Sequence, residues 1–327
     1  MMAVNGLPRR ATVKLQTGSR KTKHVAILLS TYNGERFLEE QLDSIIAQSH
    51  SNWTIYASDD GSTDGTLAIL EKYHVKLGPN RLKILTGPRQ GFAKNFLSLV
   101  KNSSIEAEYF AFCDQDDIWR PGRLSTAITT LETIPQNQPA LFCSRTRLID
   151  EEGSPIGLSP LFNKPTSFKN AIVQSIAGGN TMLFNQSARE LLNRTCEKQT
   201  IISHDWWLYM LVSGCGGQTH YSPQPLVDYR QHGDNLIGSN SSLRDRLVRI
   251  GKIFRGTFRE WNESNLSALI KIKHSLTPES LKTFEQFQEC RETGFFRRVT
   301  LIISSGLYRQ TTAGQLGLII ATIFKRI

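Results

Sequence analysis

The fold is decided by the stretch His24-Val-Ala-Ile-Leu-Leu-Ser-Thr-Tyr-Asn33, an apolar run that ends in polar residues. Such a run is typical of a strand buried on both faces, and residues 35–48 follow it with apolar side chains at helical spacing. The pattern recurs, with strands predicted over 53–57, 82–85 and 109–113 and helices over 63–73, 91–100 and from Pro121 onward. Four strand–helix alternations with short connections predict a doubly wound α/β sheet, in which the loops after the strands share one ligand-binding edge.

Beyond Pro139 this alternation weakens. The sequence predicts a strand over 140–144, a loop over 151–170, a strand broken by glycines over 175–184, a helix over 205–212 and two short strands over 218–230. From Ser241 onward the pattern is mainly helical and basic, while residues 1–23 lack any apolar period and predict a disordered tail.

The net charge of +10 is distributed unevenly over the 327 residues. Residues 1–24, 241–259 and 297–327 together carry +16, which leaves −6 on the rest of the chain. A mildly acidic centre weakens a nucleic-acid-binding interpretation, and no aromatic–basic interleaving of an RNA-binding module occurs. The five scattered cysteines fit a reducing cytosol. The sequence contains no apolar run of about 18 residues, so it predicts no conventional membrane span.

Acidic residues gather at the predicted ligand-binding edge. The loop Ser58-Asp-Asp-Gly-Ser-Thr-Asp-Gly65 follows the second strand, and Asp114-Gln-Asp-Asp117 follows the fourth. Three carboxylates within four residues repel one another unless a cation lies among them, and a divalent metal that holds a diphosphate is the simplest such cation. Helix capping and turn formation are the alternative roles for these acids, and they suffice to explain Asp64. Capping requires a single acid, however, whereas residues 114–117 contain three.

Two other ligand classes are disfavoured by the sequence. Asp60-x-Ser62-x-Asp64-Gly65 with Glu71 has calcium-loop spacing, but the segment before it is β-branched and aromatic, whereas an EF-hand needs a helix there. No G-x-G-x-x-G motif follows the first strand and no Walker Gly-Lys-Ser/Thr motif occurs, which argues against the usual nucleotide-binding loops.

The strand-end motifs resemble those of the family 2 glycosyltransferases, which have the GT-A fold. The resemblance rests on Val25-Ala-Ile-Leu-Leu-Ser-Thr-Tyr-Asn33, Ser58-Asp-Asp-Gly-Ser-Thr-Asp-Gly-Thr66 and Cys113-Asp-Gln-Asp-Asp-Ile-Trp119. Tyr229-Arg-Gln-His-Gly-Asp-Asn235 extends it to bacterial rhamnosyltransferase-like members. It implies a GT-A domain over 24–240, with a nucleotide-sugar half over 24–135 and an acceptor half over 136–240, followed by a helical region over 241–327.

The resemblance also implies which residues bind the donor. Ser30, Thr31, Tyr32 and Asp60 would bind the nucleotide sugar, and Asp114 would lie near the ribose. Arg89 falls where the family places another nucleotide contact, and a solvated loop arginine is the alternative. Asp116 of the D-x-D motif would bind Mn²⁺ or Mg²⁺ together with a late histidine, His232, for which a surface position beside Gly233 is the alternative.

For the acceptor side, the resemblance implies an inverting transfer with Asp205 as general base, at the position of the family's catalytic acid pair. Relatives often carry Glu-Asp there, whereas this chain carries His204-Asp205. Gly179 and Asn180 would let the backbone approach a sugar, or would form a strand bulge instead, and Trp206 would stack on a sugar or simply pack.

The expected reaction partners follow from the same resemblance. The donor would be a nucleoside diphosphate sugar, with dTDP-rhamnose the first choice, and the acceptor a growing glycan or a lipid-linked sugar. A basic amphipathic segment over 243–258 and apolar stretches over 299–308 and 315–324 predict peripheral contact with an anionic membrane on the cytoplasmic side, or packing on the catalytic domain or a second subunit. The alternatives to an enzyme are a catalytically silent sugar-nucleotide binder, which would be expected to lack the base Asp205, and a nucleic-acid-binding protein.

Overall fold

The computed structural model describes residues 22–195, 201–233 and 257–327. In this part of the chain a mixed sheet has the order β3-β2-β1-β4-β8-β6-β9-β5, and β7 extends it by pairing with β6. The strands are β1 Val25–Thr31, β2 Trp53–Asp59, β3 Leu82–Thr86, β4 Tyr109–Cys113, β5 Ile118–Trp119, β6 Ala140–Ile149, β7 Pro155–Leu158, β8 Leu183–Asn185 and β9 Gln218–Arg230.

The helices lie on both faces of this sheet. They are α1 Leu38–Ile46, α2 Thr66–Leu77, α3 Phe92–Lys101, α4 Arg123–Leu131, α5 Phe168–Ala171, α6 Gln186–Thr195 and α7 His204–Gly214, and in the C-terminal region α8 Thr257–Lys271, α9 Pro278–Glu292, α10 Phe295–Ser304 and α11 Thr312–Ile323. Short 3-10 turns occupy Gly179–Thr181 and Lys273–Ser275.

Strand β1 explains why the sheet has two cores. Its residues 25–29 are fully buried, and because side chains alternate along a strand they enter opposite layers. Ala26 and Leu28 join one core with α3, α6, α7 and the C-terminal helices, whereas Val25, Ile27 and Leu29 join the other with α1, α2 and α4. This is the two-sided α/β arrangement that the alternating pattern predicts.

The first half of the sheet has the parallel arrangement that the strand–helix alternation predicts. β1, β2, β3 and β4 are parallel, so their carboxyl ends lie at one edge. In the second half β8 runs antiparallel to both β4 and β6, while β9 runs parallel to β6. The sheet is therefore mixed, and β4 is the strand at which its direction changes.

Three elements differ from the sequence predictions. The strand predicted over 175–184 is reduced to Leu183–Asn185, because the glycines before it form the 3-10 turn Gly179–Thr181. The two strands predicted over 218–230 form one, Gln218–Arg230, and its pairing with β6 shifts register between Ser144 and Thr146. The loop predicted over 151–170 contains β7 and the start of α5.

The C-terminal helices pack on the sheet domain. Ile302, Leu318 and Ala321 share a core with residues of α7, and Thr277 N–H donates to Gly214 O at 3.0 Å. In the described ranges no helix is long and apolar enough to cross a membrane. Residues 1–21 of the predicted tail, the basic segment over 243–256 and the predicted boundary at 240 lie outside the described residues.

Candidate functional site

The loops after β1, β2 and β4 meet at the carboxyl edge of the sheet. Thr31 at the end of β1 lies opposite Asp59 at the end of β2, and Leu29 lies opposite Cys113 at the end of β4. All three acidic or polar motifs of the sequence analysis are thus brought to one place, as the parallel order requires.

Asp59 organises the loop after β2. One carboxylate oxygen accepts the backbone N–H groups of Gly61 and Ser62 at 3.1 and 2.9 Å. The other accepts the hydroxyls of Ser62 and Thr31 at 2.5 and 3.1 Å. The predicted donor-binding residue Thr31 is therefore buried and turned towards Asp59, so its side chain braces the loop.

Asp60 joins the loop after β2 to the loop after β3. Its two oxygens accept the N–H groups of Arg89 and Gly91 at 2.6 and 2.8 Å. Arg89 has a left-handed backbone, with φ 57°, and its exposed side chain crosses Gly61, where an added Cβ would lie 3.1 Å from Nε. Asp60 thereby fixes the backbone from which Arg89 extends along the edge.

The loops after β1 and β4 are joined by Gln115. Its Oε1 accepts the N–H of Tyr32 at 2.8 Å, and its Nε2 donates to the Tyr32 carbonyl at 3.0 Å. The Tyr32 side chain is 57% exposed, so it remains available to a planar ligand such as a base. The sequence analysis missed Gln115, although its place inside the Asp114-Gln-Asp-Asp117 motif was a signal.

Ser30 is positioned by a second residue that the sequence analysis missed. Asn95 on α3 is fully buried, and its Nδ2 donates to Ser30 Oγ and to the Ser58 carbonyl, both at 2.8 Å. Its Oδ1 accepts the Ser58 hydroxyl at 2.6 Å. The detectable signal was a lone amide on the apolar side of α3, among Phe96, Leu97 and Leu99.

Asp117 belongs to the framework of the site. It is fully buried, with its oxygens accepting Asn180 Nδ2 at 2.5 Å and the Arg230 N–H at 3.2 Å. Burial, followed by the charges of Asp116 and Asp114, raises its pKa well above the usual value. The Asn180 side chain is consequently turned inward, and the approach of this turn's backbone to a sugar stays a prediction.

The Arg123 guanidinium binds the turn that carries Asn180 and packs on the Trp119 ring. It stacks on Trp119, 3.5 Å from the ring centroid, and Nη2 donates to the Asn180 carbonyl at 2.8 Å. Burial and the charges of Asp116 and Asp205 raise the pKa of Asp114 to about 8, and Arg123 partly opposes this shift.

The structure brings the predicted pair Asp116 and His232 into contact. His232 Nε2 lies 2.9 Å from Asp116 Oδ2, just beyond the end of β9. Arg230 holds this strand end, because its buried guanidinium donates to the carbonyls of Asp116 and Glu151 at 3.0 and 2.6 Å and pairs with Glu40 at 2.5 Å. One arginine therefore connects the D-x-D loop, the end of β6 and helix α1.

The donor set of this pair fits a metal that shares its coordination with substrate. Within the described residues no group of three or more His, Cys, Asp or Glu side chains is arranged to hold an ion alone. Asp116 and His232 offer one carboxylate and one imidazole, and Mg²⁺ is commonly bound through one or two carboxylates together with substrate phosphates. The remaining positions would then belong to diphosphate oxygens and water.

Asp205 lies in the first turn of α7, facing the 3-10 turn. Its two oxygens accept the N–H groups of Trp206 at 2.6 Å and of Gly179 at 3.1 Å. Burial raises its pKa to about 6, and these two backbone bonds limit the shift. A carboxyl group of this pKa is ionised at neutral pH and is still basic enough to accept a proton.

His204 is a packing residue beside Asp205. Its ring stacks on Phe96 with centroids 4.1 Å apart and meets the edge of Phe112 at 4.5 Å. Burial lowers its pKa to about 3, so the ring is neutral at physiological pH. An added Cβ on Gly179 would lie 2.5 Å from His204 Nε2, so Gly179 allows this turn to approach the helix.

Trp206 lies elsewhere than predicted. It is buried, and its indole N–H donates to the Ala171 carbonyl at 2.7 Å. Trp207 is also buried, because α7 is apolar on every side and lies inside the helix layer. The predicted contact between Trp206 and an acceptor is corrected to a packing role.

Comparison with known proteins identifies the class that this fold and edge define. The family model described as glycosyl transferase family 2 matches residues 26–192, so the chain belongs to that family. It is 30% identical over 261 residues to the dTDP-rhamnosyl transferase RfbG of Shigella flexneri, covering 77% of this chain and 86% of that protein. The predicted resemblance to rhamnosyltransferase-like members is thereby confirmed.

Solved structures confirm the GT-A fold. The Staphylococcus aureus TarS 1–349 complex with UDP-GlcNAc matches with a TM-score of 0.52 and 16% identity, covering 86% of this chain and 89% of that one. The mannosyltransferase PcManGT of Pyrobaculum calidifontis, in complex with GDP-Man and Mn²⁺, matches with a TM-score of 0.51 and 16% identity, covering 94% and 86% of the two chains.

Proposed function

We propose that this glycosyltransferase is an inverting enzyme that transfers rhamnose from dTDP-rhamnose to a hydroxyl of a growing cell-surface glycan or a lipid-linked sugar on the cytoplasmic side. The relation to RfbG supports the choice of donor. The observation that carries the proposal is a link between Asp205 and the D-x-D loop. Two consecutive residues of one turn make it: the Gly179 N–H donates a hydrogen bond to Asp205, and the Asn180 side chain donates one to Asp117.

The nucleotide would lie across the loops after β1, β2 and β3. Tyr32 offers an exposed ring, Ser30 a hydroxyl held by Asn95, and Arg89 a guanidinium at the rim. Asp60 contributes by fixing the loop of Arg89, and each of its oxygens keeps a second lone pair for a base N–H. Asp114, beside Asp116, would accept a hydrogen bond from the ribose.

Asp116 and His232 would hold Mn²⁺ or Mg²⁺ against the diphosphate, and the metal would neutralise charge on the departing nucleotide. Asp205 accepts the proton of the acceptor hydroxyl, whose oxygen forms the new bond to the anomeric carbon as the bond to the diphosphate breaks. The backbone N–H groups of Gly179 and Trp206 keep the Asp205 carboxylate in place during this transfer. Attack from the face opposite the diphosphate inverts the configuration.

Thermal unfolding with a panel of sugar nucleotides tests the donor. We expect dTDP-rhamnose with Mn²⁺ to stabilise the protein by about 2.7 kcal/mol at a concentration of 100 Kd, and UDP-GlcNAc and GDP-mannose to stabilise it less. No shift with any nucleoside diphosphate sugar would contradict the donor class. A larger shift with another sugar nucleotide would contradict rhamnose alone.

Transfer is tested separately by release of dTDP when lipid-linked acceptor oligosaccharides are added to the protein with donor and metal. Binding of the donor without any acceptor-dependent release would favour a silent sugar-nucleotide binder. The anomeric configuration of the product, measured by NMR, decides between inversion and retention.

A further inference from the structure

Helices α10 and α11 expose large apolar side chains as well as burying others. Ile302 and Leu318 face the core, yet Phe296 and Ile303 on α10, and Leu316 and Ile323 on α11, are exposed. The members of each exposed pair are seven residues apart, which places them on one helix face two turns apart. An ordinary surface helix carries polar residues on its outer face, whereas each of these two helices places two large apolar side chains there.

Arg298 brings the exposed ends of the two helices together. Its guanidinium is buried and donates to the carbonyls of Thr322 and Ile323 at 3.3 and 3.4 Å. The first turn of α10 therefore adjoins the last turn of α11. We call the resulting group the hairpin tip; it consists of Phe295, Phe296, Ile323, Phe324 and Lys325. Phe296 is 85% exposed and Phe324 60% exposed.

The segment that carries the hairpin tip is basic. Residues 293–327 contain five Lys and Arg residues and no Asp or Glu. Arg297 pairs with Glu289 of α9, whereas Lys325 is exposed and no ion pair joins it to a described residue. Lys325 has a left-handed backbone, with φ 54°, and the chain then folds back so that Ile327 is buried. This turn leaves Lys325 exposed, directly after the exposed Phe324 in the sequence.

We propose that the hairpin tip docks on an anionic lipid surface. Phenyl rings suit the headgroup–acyl boundary, and a neighbouring ammonium suits anionic headgroups. A second copy of the chain is the less suitable occupant, because it would bring two acid-free, cationic segments together around the same apolar contact. The proposal stands independently of the proposed reaction, since docking requires neither donor nor acceptor.

Vesicle flotation of the full chain tests this proposal. At low salt we expect binding to phosphatidylcholine vesicles that contain phosphatidylglycerol, little binding to phosphatidylcholine alone, and release at high salt. Phe296→Ser should weaken partitioning about tenfold through the lost ring burial. Lys325→Gln should weaken it about fivefold through one lost charge near the surface.

The matched control is Val75→Ser, since Val75 is 82% exposed on α2, an element of the sheet domain away from the hairpin. It should leave partitioning unchanged. Equal partitioning of the Phe296→Ser and Val75→Ser variants would overturn the proposal and assign any binding to another segment. Absence of binding by the unmodified chain, or a dimer that Phe296→Ser dissociates without changing vesicle binding, would overturn it as well.

Discussion

Carboxylates on the two sides of the site are held by similar bonds, yet the proposed mechanism gives them different roles. On the donor side, Asp59 and Asp60 accept hydrogen bonds from their own and neighbouring loops, so they fasten the ends of β1, β2 and β3 together. On the acceptor side, Asp205 also accepts two backbone bonds, and burial raises its pKa to about 6, as the proposed base requires. These different roles show that the position of an acid at the edge of a sheet is not enough to assign it to catalysis.

The strongest test of this comparison is Asp205→Asn. The amide cannot accept the proton of the acceptor, so we expect kcat to fall by about 100- to 10,000-fold, while the Kd for donor stays within about twofold. Steady-state transfer and donor titration measure the two effects. Unchanged turnover in this variant would assign the base to another residue.

Asp116→Ala tests the donor side at its metal position. We expect donor binding in Mn²⁺ to weaken at least about tenfold and to lose its response to added metal. Titration with and without EDTA measures this, with Asp43→Asn as the control, because Asp43 is exposed on α1 and contacts Lys76 and Tyr73 rather than the site. Turnover of the unmodified enzyme that is insensitive to EDTA would contradict the roles given to Asp116 and His232.

Asp60→Asn tests whether that carboxylate fastens loops. Asparagine has only one acceptor oxygen for the N–H groups of Arg89 and Gly91, so we expect the free energy of unfolding to fall by about 1–3 kcal/mol. Asp43→Asn should cost at most about 1 kcal/mol, since the ion pair that it removes is exposed and asparagine can still hydrogen-bond Tyr73. Urea unfolding measures both, and equal losses would show that Asp60 has no bracing role.

The smallest expected effect is a pH dependence that separates the base from the other acids. Transfer needs the ionised form of Asp205, whose pKa is raised to about 6. At saturating donor the rate should therefore fall about tenfold per unit of pH below that value. Single-turnover rates between pH 5 and 8 measure this limb, and a flat profile down to pH 5 would contradict the assignment.

Much of this architecture was predictable, for reasons that particular residues make clear. The apolar run at 25–29 is buried in both layers, and that pattern fixed β1, its direction and the edge where Asp59 and Asp116 lie. The packing position of Trp206 was not predictable, because α7 is largely apolar and its sequence does not show which of its aromatic rings would face a ligand. Arg230 joins groups as far away as Glu40, 190 positions earlier, and no local pattern encodes such a contact.

The close approach of Gly179 to His204 has a consequence for how the sequence can vary. An added Cβ at position 179 would lie 2.5 Å from His204 Nε2, and the ring has no room to move because Phe96 and Phe112 enclose it. The two positions should therefore covary among relatives: a side chain at 179 would be accompanied by a smaller residue at 204. In this chain the bulky His204 ring lies beside Asp205, and position 179, in the turn that binds Asp205, is a glycine.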